Sequence, residues 1–72
     1  MSLKRRDSAL VKAREARERV RAAERDVADG VARALYWEAT WVEIGDALGV
    51  SAQAAHRRFR HLRYDPASGR AL

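Results

Sequence analysis

The residues best suited to chemistry lie in one short stretch, and what they offer is hydrogen bonding. If residues 51–63 form a helix, one face carries Ala52, Gln53, His56, Arg57 and Arg60. The amide of Gln53 can pair with adenine through two hydrogen bonds, or it can remain a solvated residue at a helix start. Arg57 and Arg60 can hydrogen-bond guanine or phosphate, or they can belong to a solvated charged face. The residue type alone does not decide among these three.

Two histidines and two carboxylates are the remaining candidates for chemistry. His56 and His61 are five residues apart, roughly 140° around a helix, whereas two metal ligands on one helix favour a spacing near four. The chain has no cysteine to complete a ligand set. Glu43 and Asp46 are three residues apart, but no nucleophile accompanies them. We therefore expect no metal site, no cofactor and no enzymatic activity.

Residues 40–49 predict a short helix that ends in a tight turn. Thr40 followed three residues later by Glu43 is a capping box, which starts the helix at Trp41. The inner face is expected to contain Ile44 and Leu48. Gly45 falls where a second helix must cross closely, and Gly49 can adopt the left-handed conformation that ends a helix.

A second helix is predicted directly after this turn. Val50 is expected to fill the space under the turn, and the hydroxyl of Ser51 to cap the new helix. Its inner face contains Ala55, Phe59 and Leu62. A supporting helix, a glycine turn and a helix with a basic outer face form a helix-turn-helix, which reads the DNA major groove. Thr40 would hold backbone N–H groups beside a phosphate, and Trp41 is a core anchor or a phosphate contact.

The run from Trp41 to Phe59, WVEIGDALGVSAQAAHRRF, resembles the helix-turn-helix of sigma-factor region four, and more closely that of small sigma-like regulators of GC-rich bacteria. The resemblance covers residues 31–63 and implies a tri-helical DNA-binding unit. It implies that these positions face the major groove: Ser51, Ala52, Gln53, His56, Arg57 and Arg60. No other sigma region is present, so the resemblance does not imply a complete promoter-recognition factor.

The segment 1–29 predicts one long charged helix. It contains strong helix formers and no Gly or Pro. Small apolar residues recur at alternating spacings of four and three, forming what we call the alanine seam: Ala9, Ala13, Ala16, Val20, Ala23 and Val27. Such a seam is typical of a coiled coil, so we expect a homodimer, the alternative being a stripe that rests on the same chain. Asp29-Gly30 predicts a break or kink.

Charge is distributed unevenly along the 72 residues. The formal net charge is +5, and 13 of the 15 basic residues are arginine, a bias that a GC-rich genome could also produce. Residues 51–72 carry five basic groups and one acidic group, which points to a polyanion such as nucleic acid. Lys4, Arg5 and Arg6 form a basic arm that would add non-specific affinity. No run of eighteen apolar residues is present to span a membrane.

Together these features predict an all-α fold: a tri-helical helix-turn-helix with a long N-terminal helix. The expected parts are an N-terminal helix at 1–29, a DNA-binding unit at 30–63 with a recognition helix at about 51–63, and an irregular tail at 64–72 without a wing. The predicted function is sequence-specific, cytoplasmic, nucleoid-associated regulation of transcription through double-stranded DNA, without a membrane or a small-molecule substrate. Two alternatives stay open: an architectural DNA-binding protein of low specificity, and a module that binds the transcription machinery.

Overall fold

The computed structural model describes residues 3–72, and the first two residues of the predicted N-terminal segment lie outside that range. The elements are α1 (Leu3–Tyr36), α2 (Trp41–Leu48), α3 (Ala52–Phe59), β1 (Tyr64–Asp65) and β2 (Arg70–Ala71). The predicted all-α, tri-helical arrangement with a long N-terminal helix is confirmed. Within the described residues, no helix combines the length and the apolar character needed to cross a membrane.

The predicted break at Asp29-Gly30 is wrong, because α1 continues through it to Tyr36. A glycine costs a helix about 1 kcal/mol relative to alanine. Burial of the next two residues, Val31 and Ala32, offsets this cost, since both lie in the core. The helix ends instead at Tyr36, and Glu38 in the turn that follows has a left-handed φ of 68°. The N–H of Ala39 then donates to the carbonyl of Ala34 at 2.9 Å, which closes a Schellman motif.

The core lies where the last third of α1 meets the two short helices. Its buried members are Val31, Ala32, Ile44, Ala55 and Phe59. Half-buried apolar side chains surround the cluster: Val27, Ala34, Leu35, Ala39, Trp41, Leu48 and Leu62. The predicted inner faces of the two helices are therefore confirmed. Because the core is so small, single changes within it should have large effects on folding.

The predicted irregular tail is wrong, because residues 64–71 form a two-stranded antiparallel hairpin. Asp65 stabilises its turn by accepting hydrogen bonds from the N–H of Ala67 and the hydroxyl of Ser68. The carboxylate of Asp29 on α1 accepts from the N–H of Ala71 at 2.8 Å. The hairpin therefore packs on the side of α1, and Asp29 anchors it there.

Tyr36 and Trp37, two neighbouring aromatic residues, both lie at the surface. They are 51% and 71% exposed, and their rings meet edge to face at 5.3 Å. The ring of Tyr36 also lies 5.1 Å from that of Tyr64, so it supports the hairpin. Trp37 therefore contributes little to the core.

The first half of α1 extends away from the rest of the chain. Residues 4–15 are exposed throughout. The radius of gyration is 17.0 Å, whereas a compact chain of this length has about 11 Å. The helix is thus only partly covered by its own chain.

Candidate nucleic-acid interface

The start of α2 is fixed by the predicted capping box. The hydroxyl of Thr40 accepts from the N–H of Glu43 at 3.1 Å, and the N–H of Thr40 donates to the Glu43 carboxylate at 2.9 Å. These bonds, chiefly the one from the Thr40 backbone, hold the pKa of Glu43 below its ordinary value of 4.5. The Thr40 hydroxyl is therefore engaged in capping, and α2 begins in one defined position.

Replacing Glu43 with glutamine should make the melting temperature of this protein less dependent on pH in the acidic range. The lowered pKa of folded Glu43 means that its stabilising effect is present above pH 4.5 and lost as the pH falls through the folded value. Glutamine can still accept from the Thr40 N–H but does not titrate. The difference in melting temperature between the two proteins should therefore shrink as the pH is lowered from 7 to 3. A difference that stays constant over this range would contradict the role of the Glu43 charge.

Two glycines allow α3 to follow α2 so closely. Gly49 has φ 71° and ψ 29°, the predicted left-handed end of α2. A Cβ on Gly45 would lie 2.7 Å from the carbonyl oxygen of Val50 and 3.1 Å from the backbone nitrogen of Ala52. The predicted close approach at Gly45 is confirmed, and the obstacle is backbone at the start of α3. The prediction that Val50 fills the space under the turn is wrong, because Val50 is 45% exposed and lines an open cleft beside Leu48 and Ala54.

The next helix is capped as predicted and is shorter than expected. The hydroxyl of Ser51 accepts from the N–H of Ala54 at 3.0 Å. The recognition helix was expected to extend to residue 63, but α3 ends at Phe59. The N–H of Leu62 donates to the Phe59 carbonyl, and this tight turn brings Leu62 onto the core. Arg60 is thus the C-cap residue rather than part of a longer helix.

The predicted interface residues fall into two groups. Gln53, His56, Arg57 and Arg60 are exposed along α3 and its end, opposite the buried inner face. Ala52 is half-buried, and the Ser51 hydroxyl is engaged in capping, as is that of Thr40. The structure therefore brings four exposed polar side chains to one surface, which we call the α3 face: Gln53, His56, Arg57 and Arg60.

A contact between Trp41 and His56 links the start of α2 to the α3 face. Their rings meet edge to face, with centroids 5.1 Å apart. Trp41 is half-buried and packs against the core, so it holds the imidazole from one side. Because these residues are fifteen apart in the sequence, no local pattern indicates the contact.

Arg58 belongs to neither face of α3. Its guanidinium lies 4.9 Å from the centroid of the Phe59 ring, a cation–π contact at the edge of the core. Arg58 forms no ion pair with α1 within residues 3–72. Over the same range, no group of three histidine, aspartate or glutamate side chains could hold a metal ion.

Comparisons with known proteins identify no relative that would assign a function to the α3 face. No protein-family model, curated protein or solved structure matches the chain. The resemblance to sigma-factor region four therefore remains a prediction from the residues of α2 and α3.

Proposed function

We propose that this protein is a sequence-specific DNA-binding regulator of transcription, acting through the α3 face. The observation that carries this proposal is the contrast between the two sides of α3. Ala55 is fully buried and Phe59 is 6% exposed, while Gln53, His56 and Arg57 are exposed to solvent. A rigid helix with bonding groups on its outer side suits the major groove.

The distribution of charge supports the same partner. Arg57 and Arg60 extend from the α3 face, and Arg63 and Arg70 follow it in the chain. Each arginine that meets a phosphate releases counterions, so affinity would fall steeply with salt. We propose cytoplasmic, nucleoid-associated action by occupation of double-stranded DNA, without a chemical reaction.

One such helix makes few base contacts, so two copies are expected on the DNA. Specific binding by helix-turn-helix proteins uses paired half-sites about one helical turn apart. We therefore include a homodimer in the proposed function. The exposed alanine seam on α1 is the surface that supports it.

Changing Gln53 to alanine should reduce sequence preference without affecting the fold. Loss of a bidentate contact to a base costs about 1–3 kcal/mol of discrimination. A site selected from random DNA should be bound more weakly by the variant, while binding to unrelated DNA stays nearly constant. Quantitative gel-shift titrations on both DNAs would measure this, with circular dichroism as a check on folding.

Arg14→Ala is the matched control, because Arg14 is exposed on the extended part of α1. It should leave the ratio of specific to non-specific binding unchanged. If Gln53→Ala leaves that ratio unchanged too, Gln53 does not read a base. Equal affinity of the parent protein for selected and random DNA would instead support an architectural function.

A further inference from the structure

The alanine seam is covered by its own chain at one end only. Val27 packs against the core, whereas Val20 is 55% exposed, and Ala9, Ala13 and Ala23 are exposed as well. Leu10 beside the seam is 52% exposed. An apolar face therefore extends along much of α1 with no covering in the single chain.

This face leads directly into an open cleft between α1 and the two short helices, which we call the apolar cleft. Its lining includes Val20, Ala23, Val27, Leu48, Val50 and Ala54. A second part continues along α1 past Gly30 to Ala34. Because three seam residues also line the cleft, seam and cleft form one continuous surface.

We infer that this surface is covered by α1 of a second copy, lying antiparallel. A two-fold axis would place the extended half of each α1 along the apolar cleft of the other copy. In a parallel pair, both helix-turn-helix units would lie at the same end, where each already occupies space beside the seam. The antiparallel pair separates the two units and covers both clefts.

The charges beside the seam select the register of this pair. Arg17 and Glu24 lie on one flank of the seam, and Arg19 and Asp26 lie on the other. All four are exposed. When Val20 lies opposite Ala23 of the second copy, Arg17 meets Glu24 of that copy, and Arg19 meets its Asp26. The symmetry repeats both pairs, so four oppositely charged pairs form.

Other arrangements of the same helices are less favourable. Moving the antiparallel pair by seven residues, so that Val20 lies opposite Ala16 of the second copy, places Arg17 opposite the other Arg17, and Arg19 opposite the other Arg19. Only Lys12 then meets an opposite charge, Asp26 of the second copy, so attraction and repulsion cancel. A parallel pair brings Lys12 to Arg17 of the second copy and Arg19 to its Glu24, so repulsion again offsets attraction. The selected register has one kind of like-charged pair, Lys12 with Arg33 of the second copy, which the symmetry repeats at the two outer ends of the contact, so four attractive pairs face two repulsive ones.

The register also sets the spacing of the two DNA-binding units. Each unit packs near Val31, which would lie opposite residue 12 of the second copy. At 1.5 Å per residue the two units are about 28 Å apart along the helix axis, and the sideways offset of the helices adds to this. Half-sites one helical turn apart are about 34–36 Å from centre to centre. The comparison with half-sites rests on the proposed DNA-binding function, whereas the apolar and charged contacts that pair the two helices do not.

Disulfide trapping tests the orientation without DNA, because the chain has no native cysteine. Ala13 would lie opposite Gly30 of the second copy, and both positions are exposed. A mixture of Ala13→Cys and Gly30→Cys proteins should give a mixed disulfide on mild oxidation. Either protein alone should not, since two identical cysteines would be about 25 Å apart. Disulfides within each single variant would overturn the antiparallel orientation, and a monomer in sedimentation would overturn the dimer.

A charge exchange tests the register. Arg17→Glu should place like charges together twice and raise the dimer dissociation constant about tenfold, measured by sedimentation equilibrium. Adding Glu24→Arg in the same chain should restore the parent value. In a parallel pair Arg17→Glu would instead relieve the repulsion from Lys12 and tighten the dimer. An unchanged dissociation constant in the single variant would overturn the register. Because neither residue lies on the α3 face, loss of DNA binding alone would leave these results intact.

Discussion

Replacing Phe59 with alanine should lower the free energy of unfolding by about 3–5 kcal/mol, the range for deletion of a buried aromatic ring. Phe59 is 6% exposed and lies with Val31, Ile44 and Ala55 in the core cluster. A chain of 72 residues is stabilised by about 4–11 kcal/mol in total, at roughly 0.05–0.15 kcal/mol per residue. The variant should therefore lose most of its cooperative unfolding transition, as measured by thermal and urea denaturation.

Val42→Ala is the control for this prediction. Val42 is 61% exposed on α2, so its truncation removes few packing contacts. It should change stability by no more than about 0.5 kcal/mol, as surface substitutions usually do. If Phe59→Ala melts within a few degrees of the parent protein, Phe59 does not anchor the junction of the three helices.

The parts of the fold that the sequence predicts correctly are determined by residues close together in the chain. The capping box of Thr40 and Glu43 involves a spacing of three residues, and the Ser51 cap acts on Ala54. Gly49 sets the left-handed conformation of the turn in which it lies. The sequence predicts these features correctly because each motif and its partner lie within one helical turn.

The parts that differ from the sequence-based expectations depend on distant contacts. Gly30 remains helical because its neighbours pack on α2 and α3, and packing outweighs local propensity. The tail forms a hairpin that Asp29 anchors from 42 residues away. No local pattern indicates either contact, which is why the sequence alone predicts a break and an irregular tail.

The candidate interface shows the same division. Helical periodicity predicts the exposed Gln53, His56, Arg57 and Arg60, because the apolar Ala55 and Phe59 fix which side turns inward. It does not predict that Trp41 supports His56, since that contact joins two helices. Nor does it predict that α3 ends at Phe59, which depends on Leu62 turning back to the core.

The second large effect is expected from a single methyl group on Gly45. Alanine would place its Cβ 2.7 Å from the carbonyl oxygen of Val50, and a backbone atom cannot move aside as a flexible side chain can. The start of α3 must therefore shift away from α2, at a cost of about 2–3 kcal/mol, within the range for overpacked interiors. Because Ser51 and Gln53 belong to the displaced segment, DNA binding should fall together with the melting temperature.

Gly30→Ala is the matched control, since it is the same substitution inside a helix. A Cβ on Gly30 meets nothing within 4 Å, so only the gain in helix propensity of about 1 kcal/mol remains. Thermal melts at low protein concentration should therefore move in opposite directions, downward for Gly45→Ala and upward for Gly30→Ala. If Gly45→Ala is as stable as the parent, α3 does not cross α2 at this distance. The α3 face would then lack the rigid support on which its proposed reading of DNA depends.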